Sequence, residues 1–307
     1  MADTGDWDAQ SSWSNVECGG DEGTGYPVAG DTATVCVGNT INLADDEEIK
    51  VLDVAGTLNT SSQTLTISQS GADLNITGSG VMNIDDNGMV LITGGGTGHS
   101  IETDARLNLL ASGSILRITT SSPVAIGGLG AIVGSDDAAS IEIGYQSGGS
   151  TPVVFTSEIT IRGHLVIDDV SGESGSFTNE GTVEADASGT LKVAVAGTLA
   201  DGTNADRWKV TANGAKLKFD STIGVISTLD GNFIMPIGDS TSEMILDREL
   251  ATNGRLQISS GVAGVVRINP NGDNTVTFDA DYATDPNPLD MQGGTIEVAA
   301  GKMFTHN

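Results

Sequence analysis

Large aromatic side chains are scarce in this chain: three Trp, three Tyr and six Phe make 4% of its 307 residues. A core without aromatic plugs has to be filled by Val, Ile and Leu, which favours many thin layers over one thick globule. Bases are also few, thirteen against 41 acids, giving a formal net charge of −28 at pH 7. Nucleic acids and anionic membranes are bound through Lys and Arg, so neither is an expected partner. No apolar run approaches the ~20 residues that cross a bilayer, and membrane insertion is not expected. No ten-residue window carries the i, i+3, i+4, i+7 apolar spacing of a helix. With only His99, His164 and His306, there is no H-x-x-x-H pair. Cysteine–histidine signatures, G-x-S-x-G and phosphate-binding loops are missing as well. The expectation is a protein that is not an enzyme and needs no cofactor.

What the chain does contain is glycine, 42 residues of it, between short alternating stretches. TVCV (34–37), TINL (40–43), IKVLDV (49–54), TLTI (64–67), DLNI (73–76), VMNI (81–84) and MVLI (89–92) open a series. It continues through RLNLL (106–110), ILRI (115–118), ITIRGHLVI (159–167), TLKV (190–193) and KLKF (216–219) to TIEV (295–298). Each stretch reads as a strand of three to five residues, recurring every seven to ten, with Gly, Asn, Asp or Ser in the gaps. In FTNEGTVEADASGTLKVAVAGTL (177–199) a Gly-Thr pair recurs at 181, 189 and 197, each time followed by an apolar residue.

Strands this short and this evenly spaced fit a parallel β-helix, in which each coil contributes about three strands and stacks on the next. Corners need positive φ or close backbone approach, which Gly tolerates. Inward positions then form Val/Ile/Leu columns, while Thr, Asn, Lys, Glu and Asp point out. The predicted fold is all-β, a right-handed, single-stranded parallel β-helix (β-solenoid) of nine or ten coils. Residues 1–30 form its N-terminal cap and 31–307 the β-helix domain.

The segment FTNEGTVEADASGTLKV resembles the F-x-N-x-G-x-(I/V)…G-x-L-x-(I/V) repeats of bacterial surface β-helix proteins, such as autotransporter passengers and filamentous adhesins. The opening TGDWDAQSSWS, then YPVAGDTATV and NTINLADDEEIKVLDVAGTLNT, is similar to the W…W…P…GD…V…L pattern that heads secreted bacterial β-helices and phage structural proteins. These stretches cover about a third of the chain. They imply a fold and a surface location, and carry no catalytic residue across.

In the cap, Trp7 and Trp13 are expected over the end of the first coil, with carbohydrate stacking as the alternative role. Cys18 and Cys36 are expected to form a disulfide that ties the Gly-rich cap to the first strands. That bridge belongs to an oxidising compartment. The opening MADTGDW lacks the basic start and apolar core of a secretory signal. Two readings follow: a mature exported chain headed by an added Met1, or a virion protein released without the secretory route.

Three groups of residues are candidates for chemistry. In ITIRGHLVIDD (159–169), Ile159, Ile161, Leu165 and Ile167 point inward and Arg162, His164 and Asp168 outward on one face. In an enzyme, Arg162 would neutralise a uronate carboxylate, His164 act as base and Asp168 orient it or bind a cation; otherwise the row is a solvated strand face. Arg207, Lys209, Lys216 and Lys218 gather four of thirteen bases within twelve residues. They would bind an acidic glycan or pair with the acidic surface. Asp273, Asp279, Asp281 and Asp285 lie in the densest polar segment, where hard oxygen ligands suit Ca²⁺, although the spacing matches no known calcium loop.

The expected function is that of a non-enzymatic structural or adhesive β-helix, extracellular, on a cell surface or on a virion. Its partners would be a surface glycan or neighbouring copies of itself in a homo-oligomer. The alternative is a polysaccharide lyase or glycoside hydrolase acting on an outer face.

Overall fold

The computed structural model describes residues 4–9, 25–94, 98–119, 123–144, 152–156, 158–171, 173, 175–201, 206–270, 275–278 and 289–306. Among them are thirty-three strands and no helix. Every pairing is parallel, and the chain visits three faces in fixed rotation. Face 1 begins with Thr32–Val35 and Val51–Val54 and runs to Val225–Thr228, followed by Leu250–Thr252, Thr275–Phe278 and Met303–His306. Face 2 begins with Thr4–Asp6 and Thr40–Asn42 and ends with Leu289–Met291. Face 3 runs from Glu47–Ile49 to Thr295–Val298. The protein is a β-solenoid, as the spacing of its strands predicts.

The Gly-Thr repeat has a direct reading in this architecture. Thr182–Ala185 lies on face 2, Gly189–Val193 on face 3 and Thr198–Asp201 on face 1. Eight residues are one side of the triangle, and each Gly-Thr marks the entry to a side. Where a corner is tight, no other residue fits. A Cβ on Gly56 would lie 2.2 Å from the Cys36 carbonyl oxygen, and one on Gly163 (φ +90°) 2.0 Å from that of Gly134.

Alternation produces the core. One inward column on face 2 runs in register through Ile41, Leu58, Met82, Leu107, Ile132, Ile161, Val183, Trp208, Phe233 and Leu256. All ten are at most 2% exposed. Each such side chain contributes roughly 1.5–3 kcal/mol by leaving water, so the stack is held by its interior before any surface contact is counted.

Turn length is irregular. Thr40 stands beside Thr57, seventeen residues on, whereas Leu256 stands beside Leu289, thirty-three on. Two strands pass from face 2 to face 3 without a break, Ala131–Gly144 and Thr160–Asp169. They pair with each other at nine positions, with a register shift between Ser135 and Ser140. Local boundaries also differ from the sequence reading. The strand expected at 34–37 ends at Val35, leaving Val37 74% exposed in the corner. The stretch 49–54 is divided at Lys50, because the chain turns there from face 3 to face 1. Most of the expected cap, residues 10–24 with Trp13 and Cys18, falls outside the described residues. Trp7 is fully buried and its indole Nε1 donates to the Pro27 carbonyl (3.2 Å).

Candidate functional site

The edge between faces 2 and 3 near Arg162 is where the most side-chain chemistry converges. Ile159, Ile161, Leu165 and Ile167 are buried as expected, and Arg162, His164 and Asp168 point outward. They do not share a face. Arg162 stands opposite Glu184 on face 2, whereas Val166 stands opposite Lys192 on face 3. The strand bends at Gly163 in its left-handed conformation. Arg162 and Asp168 are therefore turned away from each other, with His164 at the corner between them.

His164 has a different acidic partner from the one its own strand suggests. The residues between Ser135 and Ser140 leave the ladder and carry Asp137 across the edge. Its Oδ1 accepts from His164 Nδ1 (3.0 Å) and from the Thr190 backbone N–H (2.8 Å), fifty-three residues along the chain. His164 is 22% exposed and Asp137 61%. Beside them Arg162 Nη1 binds Asp186 Oδ2 at 3.1 Å. Gly189 closes the back of this group: a Cβ there would come within 3 Å of the imidazole and the Asp137 carboxylate. A fixed His–carboxylate pair can shuttle a proton, but its neighbouring cation is already neutralised.

The basic cluster is also divided. Lys209 belongs to face 2, Lys216 and Lys218 to face 3. Lys216 Nζ binds Glu243 (3.0 Å), and Lys218 Nζ binds Asp220 and Asp247, both at 3.1 Å. Two carboxylates around one ammonium raise the Lys218 pKa against the opposing effect of partial burial. Arg207, expected on the surface, is instead buried at 8% exposure, and its Nη1 donates to the Gly181 carbonyl (3.1 Å). The cause is a register shift between Asp206 and Trp208, which lets both Arg207 and Trp208 turn inward. Asp273, Asp279, Asp281 and Asp285, the proposed Ca²⁺ ligands, lie outside the described residues. Among the described residues no cluster of three or more His, Cys, Asp or Glu is placed to hold a metal.

The outward ladders of the N-terminal turns carry something composition did not single out. On face 2, Asn59 Nδ2 donates to Asn42 Oδ1 (2.7 Å), Asn83 to Asn59 (2.8 Å) and Asn108 to Asn83 (2.9 Å). On face 1, Asn75 Nδ2 donates to Asp53 (2.9 Å) and Ser100 Oγ to Asn75 Oδ1 (3.0 Å). The signal was present in the strings TIN, TLN, VMN and RLN, each with Asn two residues after the strand's first position.

Two buried ionisable groups complete the inventory. Asp201, 6% exposed, accepts from Trp208 Nε1 (2.7 Å) and from the Asp230 (2.6 Å) and Gly231 (3.1 Å) backbone N–H groups. Burial outweighs these donors and raises its pKa from 3.8 to about 6. His99, 3% exposed, has its pKa lowered, mainly by burial and against the pull of Asp73.

No protein-family model, no curated protein and no solved structure matches the chain.

Proposed function

We propose that this protein is a non-enzymatic structural and adhesive module of an extracellular, cell-surface or virion assembly. The carrying observation is the state of five outward cations. Arg117 is held by Glu142, Arg162 by Asp186, Lys216 by Glu243, Lys218 by Asp220 and Asp247, and Arg267 by Glu243 and Glu297. Cleaving an anionic polymer calls for several cations on one subsite, and these are spent on neighbouring turns. A stacked rod with polar rows at the strand spacing of about 4.8 Å suits a passive role. Hydrogen-bonding groups supply most of the contact surface for a glycan or a neighbouring copy: among the described residues, both tryptophans and Phe155, Phe177, Phe219, Phe233 and Phe278 are buried, and Tyr26 is the large aromatic left exposed.

The alternative, a polysaccharide lyase or hydrolase, has one observation in its favour, the His164–Asp137 hydrogen bond. The two readings separate in a depolymerisation screen over uronate-containing polymers, with and without Ca²⁺, followed by ultraviolet absorbance of unsaturated uronates and by reducing ends. The structural reading expects no turnover, and expects His164→Ala to keep whatever glycan adhesion the parent shows. Turnover that disappears in His164→Ala overturns it.

An oxidising location further predicts a Cys18–Cys36 disulfide. Mass spectrometry of non-reduced peptides, from protein made under oxidising conditions, should recover the two cysteines in one linked pair. Two alkylatable thiols would remove the support that the cysteines give to export.

A further inference from the structure

The inward column of face 1 begins Ala33, Leu52, Leu74 and then reaches His99, before returning to Ile126 and Phe155. An imidazole thus stands where every neighbouring turn has a hydrocarbon. It does so in the place of a backbone group. Paired register between Asp73–Ile76 and His99–Ile101 starts only at Asn75–Ser100. One position earlier, the Leu74 N–H donates to His99 Nδ1 at 3.0 Å. The side chain therefore closes the first rung of that ladder.

This bond fixes the tautomer. Nδ1 accepts, so it carries no proton and the ring's one N–H is at Nε2. Nε2 is buried with no hydrogen-bond partner among the described residues. It belongs to a small cavity lined by Leu74, Ile92, Leu107, Leu116, Ile126 and Ile132. Apart from His99 itself and Ser100 that lining is apolar, so an added charge on the ring would stand in a largely hydrocarbon environment. Asp73, on the preceding turn, is the charged group that acts on the ring, and its carboxylate also lies against Gly98. The strands packed from the other two faces bring Arg106 and Arg117, both on outward positions; their inward residues and those of Val124–Gly127 are apolar.

We propose that His99 is an acid-operated pin: a proton taken up from solvent at Nδ1 abolishes the Leu74 N–H···Nδ1 bond and opens the stack between the turns carrying residues 73–76 and 99–101. A protonated ring has only donors, so it faces the Leu74 N–H donor to donor, inside an apolar core. The direction agrees with its burial. A folded-state pKa below histidine's ordinary 6.5 means that the folded protein binds the proton less well than the opened one. Its contribution to closure is complete above 6.5 and is lost as pH falls through that value. Below it, opening grows by about tenfold per pH unit until the folded pKa is reached.

Native-state amide exchange on the full chain, corrected for the intrinsic pH dependence of exchange, tests this between pH 7.5 and 4.5. Protection of the Leu74 amide and its segment 72–77 should fall by about tenfold per pH unit over part of this range. The segment 215–219 serves as an internal reference and should not follow it. In His99→Asn, which offers an acceptor without titrating, the fall should disappear. Nitrogen NMR of the unmodified protein is the second arm, needed if that variant does not fold. The Nδ1 resonance should report an unprotonated nitrogen at pH 7, and the loss of Leu74 protection should level off at the pH where Nδ1 titrates in the folded protein. Equal acid sensitivity of segment 72–77 in both proteins, or protonation of Nδ1 with Leu74 protection unchanged, overturns the proposal.

Discussion

The turns before Arg117 and the turns after it build one fold from two chemistries. In the first, neighbouring turns are stitched by side-chain hydrogen bonds, through amides from Asn42 to Asn108 on face 2 and through Asp53, Asn75 and Ser100 on face 1. In the second, the described ion pairs take over, from Arg117–Glu142 to Arg267–Glu297. The interiors differ in parallel. Among the described residues between Ala33 and Val153 the core has no buried aromatic hydrocarbon. Beyond it, Phe155 packs edge-on against Phe177 (5.4 Å), and Trp208, Phe219, Phe233 and Phe278 form a connected cluster with centroids 4.8–6.2 Å apart. What specifies the solenoid is thus the two-residue alternation and the corner glycines. Which atoms fill the columns is a local choice, and it decides how each half responds to pH and salt.

The largest test of this contrast is in the core. Phe233 touches Trp208, Phe219 and Phe278, so Phe233→Ala should cost about 3–5 kcal/mol in chemical denaturation. A cost below about 1 kcal/mol would mean that the aromatic cluster adds nothing to aliphatic stacking.

Next comes pH. The Asp201 pKa is about 6 in the folded protein against 3.8 for an ordinary Asp, so the folded state holds its proton more tightly. Stability from this group is present below 3.8 and is lost as pH rises through about 6, on the order of 3 kcal/mol in all. The sign is opposite to that of His99, so between pH 7.5 and 5 acid weakens the contribution of His99 while it strengthens that of Asp201. Denaturation of segments on either side, followed by hydrogen exchange at pH 5 and 7.5, should show the crossover. Asp201→Asn should flatten the response of the C-terminal half alone.

The smallest effect distinguishes the ladders. Asn83 sits between two amide partners, and Asn83→Ala should cost about 1–2 kcal/mol, unchanged in 1 M NaCl. Lys216→Met removes one half-exposed ion pair and should cost about 0.2–1 kcal/mol at low salt and less at high salt. Equal salt dependence of the two variants would erase the distinction between amide and ionic stitching.

The fold was legible because its two signals are periodic. TLTI, DLNI, VMNI, MVLI and TIEV begin and end where the sequence places them. The inward column through Ile161 and Leu165 follows from alternation alone. The candidate site was less legible, because alternation says which side of a strand a residue takes but not which face the strand is on. Arg162 and Asp168 share parity and yet are separated by the bend at Gly163. Asp137 was invisible as the partner of His164 because their contact depends on a bulge, and the pairing to Thr190 spans two turns. Arg207 was missed for a similar reason: it is buried beside a register shift that alternation does not reveal. The Asn column could have been found by aligning the strands at their first residues, since its register is the register of the sheet.

The strands Ala131–Gly144 and Thr160–Asp169 give the rod a mechanical midpoint. Their pairing holds nine positions, where Ile115–Thr119 and Gly189–Val193 meet their neighbours at five. A load that peels the chain from either terminus releases one short side of the triangle at a time, until it reaches a pair that spans two sides and stays paired through the bend at Gly163. The force–extension record of a single molecule should show a saw-tooth of small steps and one taller rupture between them. A tether anchored at one end would then fail in two stages, with the splint around Gly134 and Gly163 setting the load that divides them.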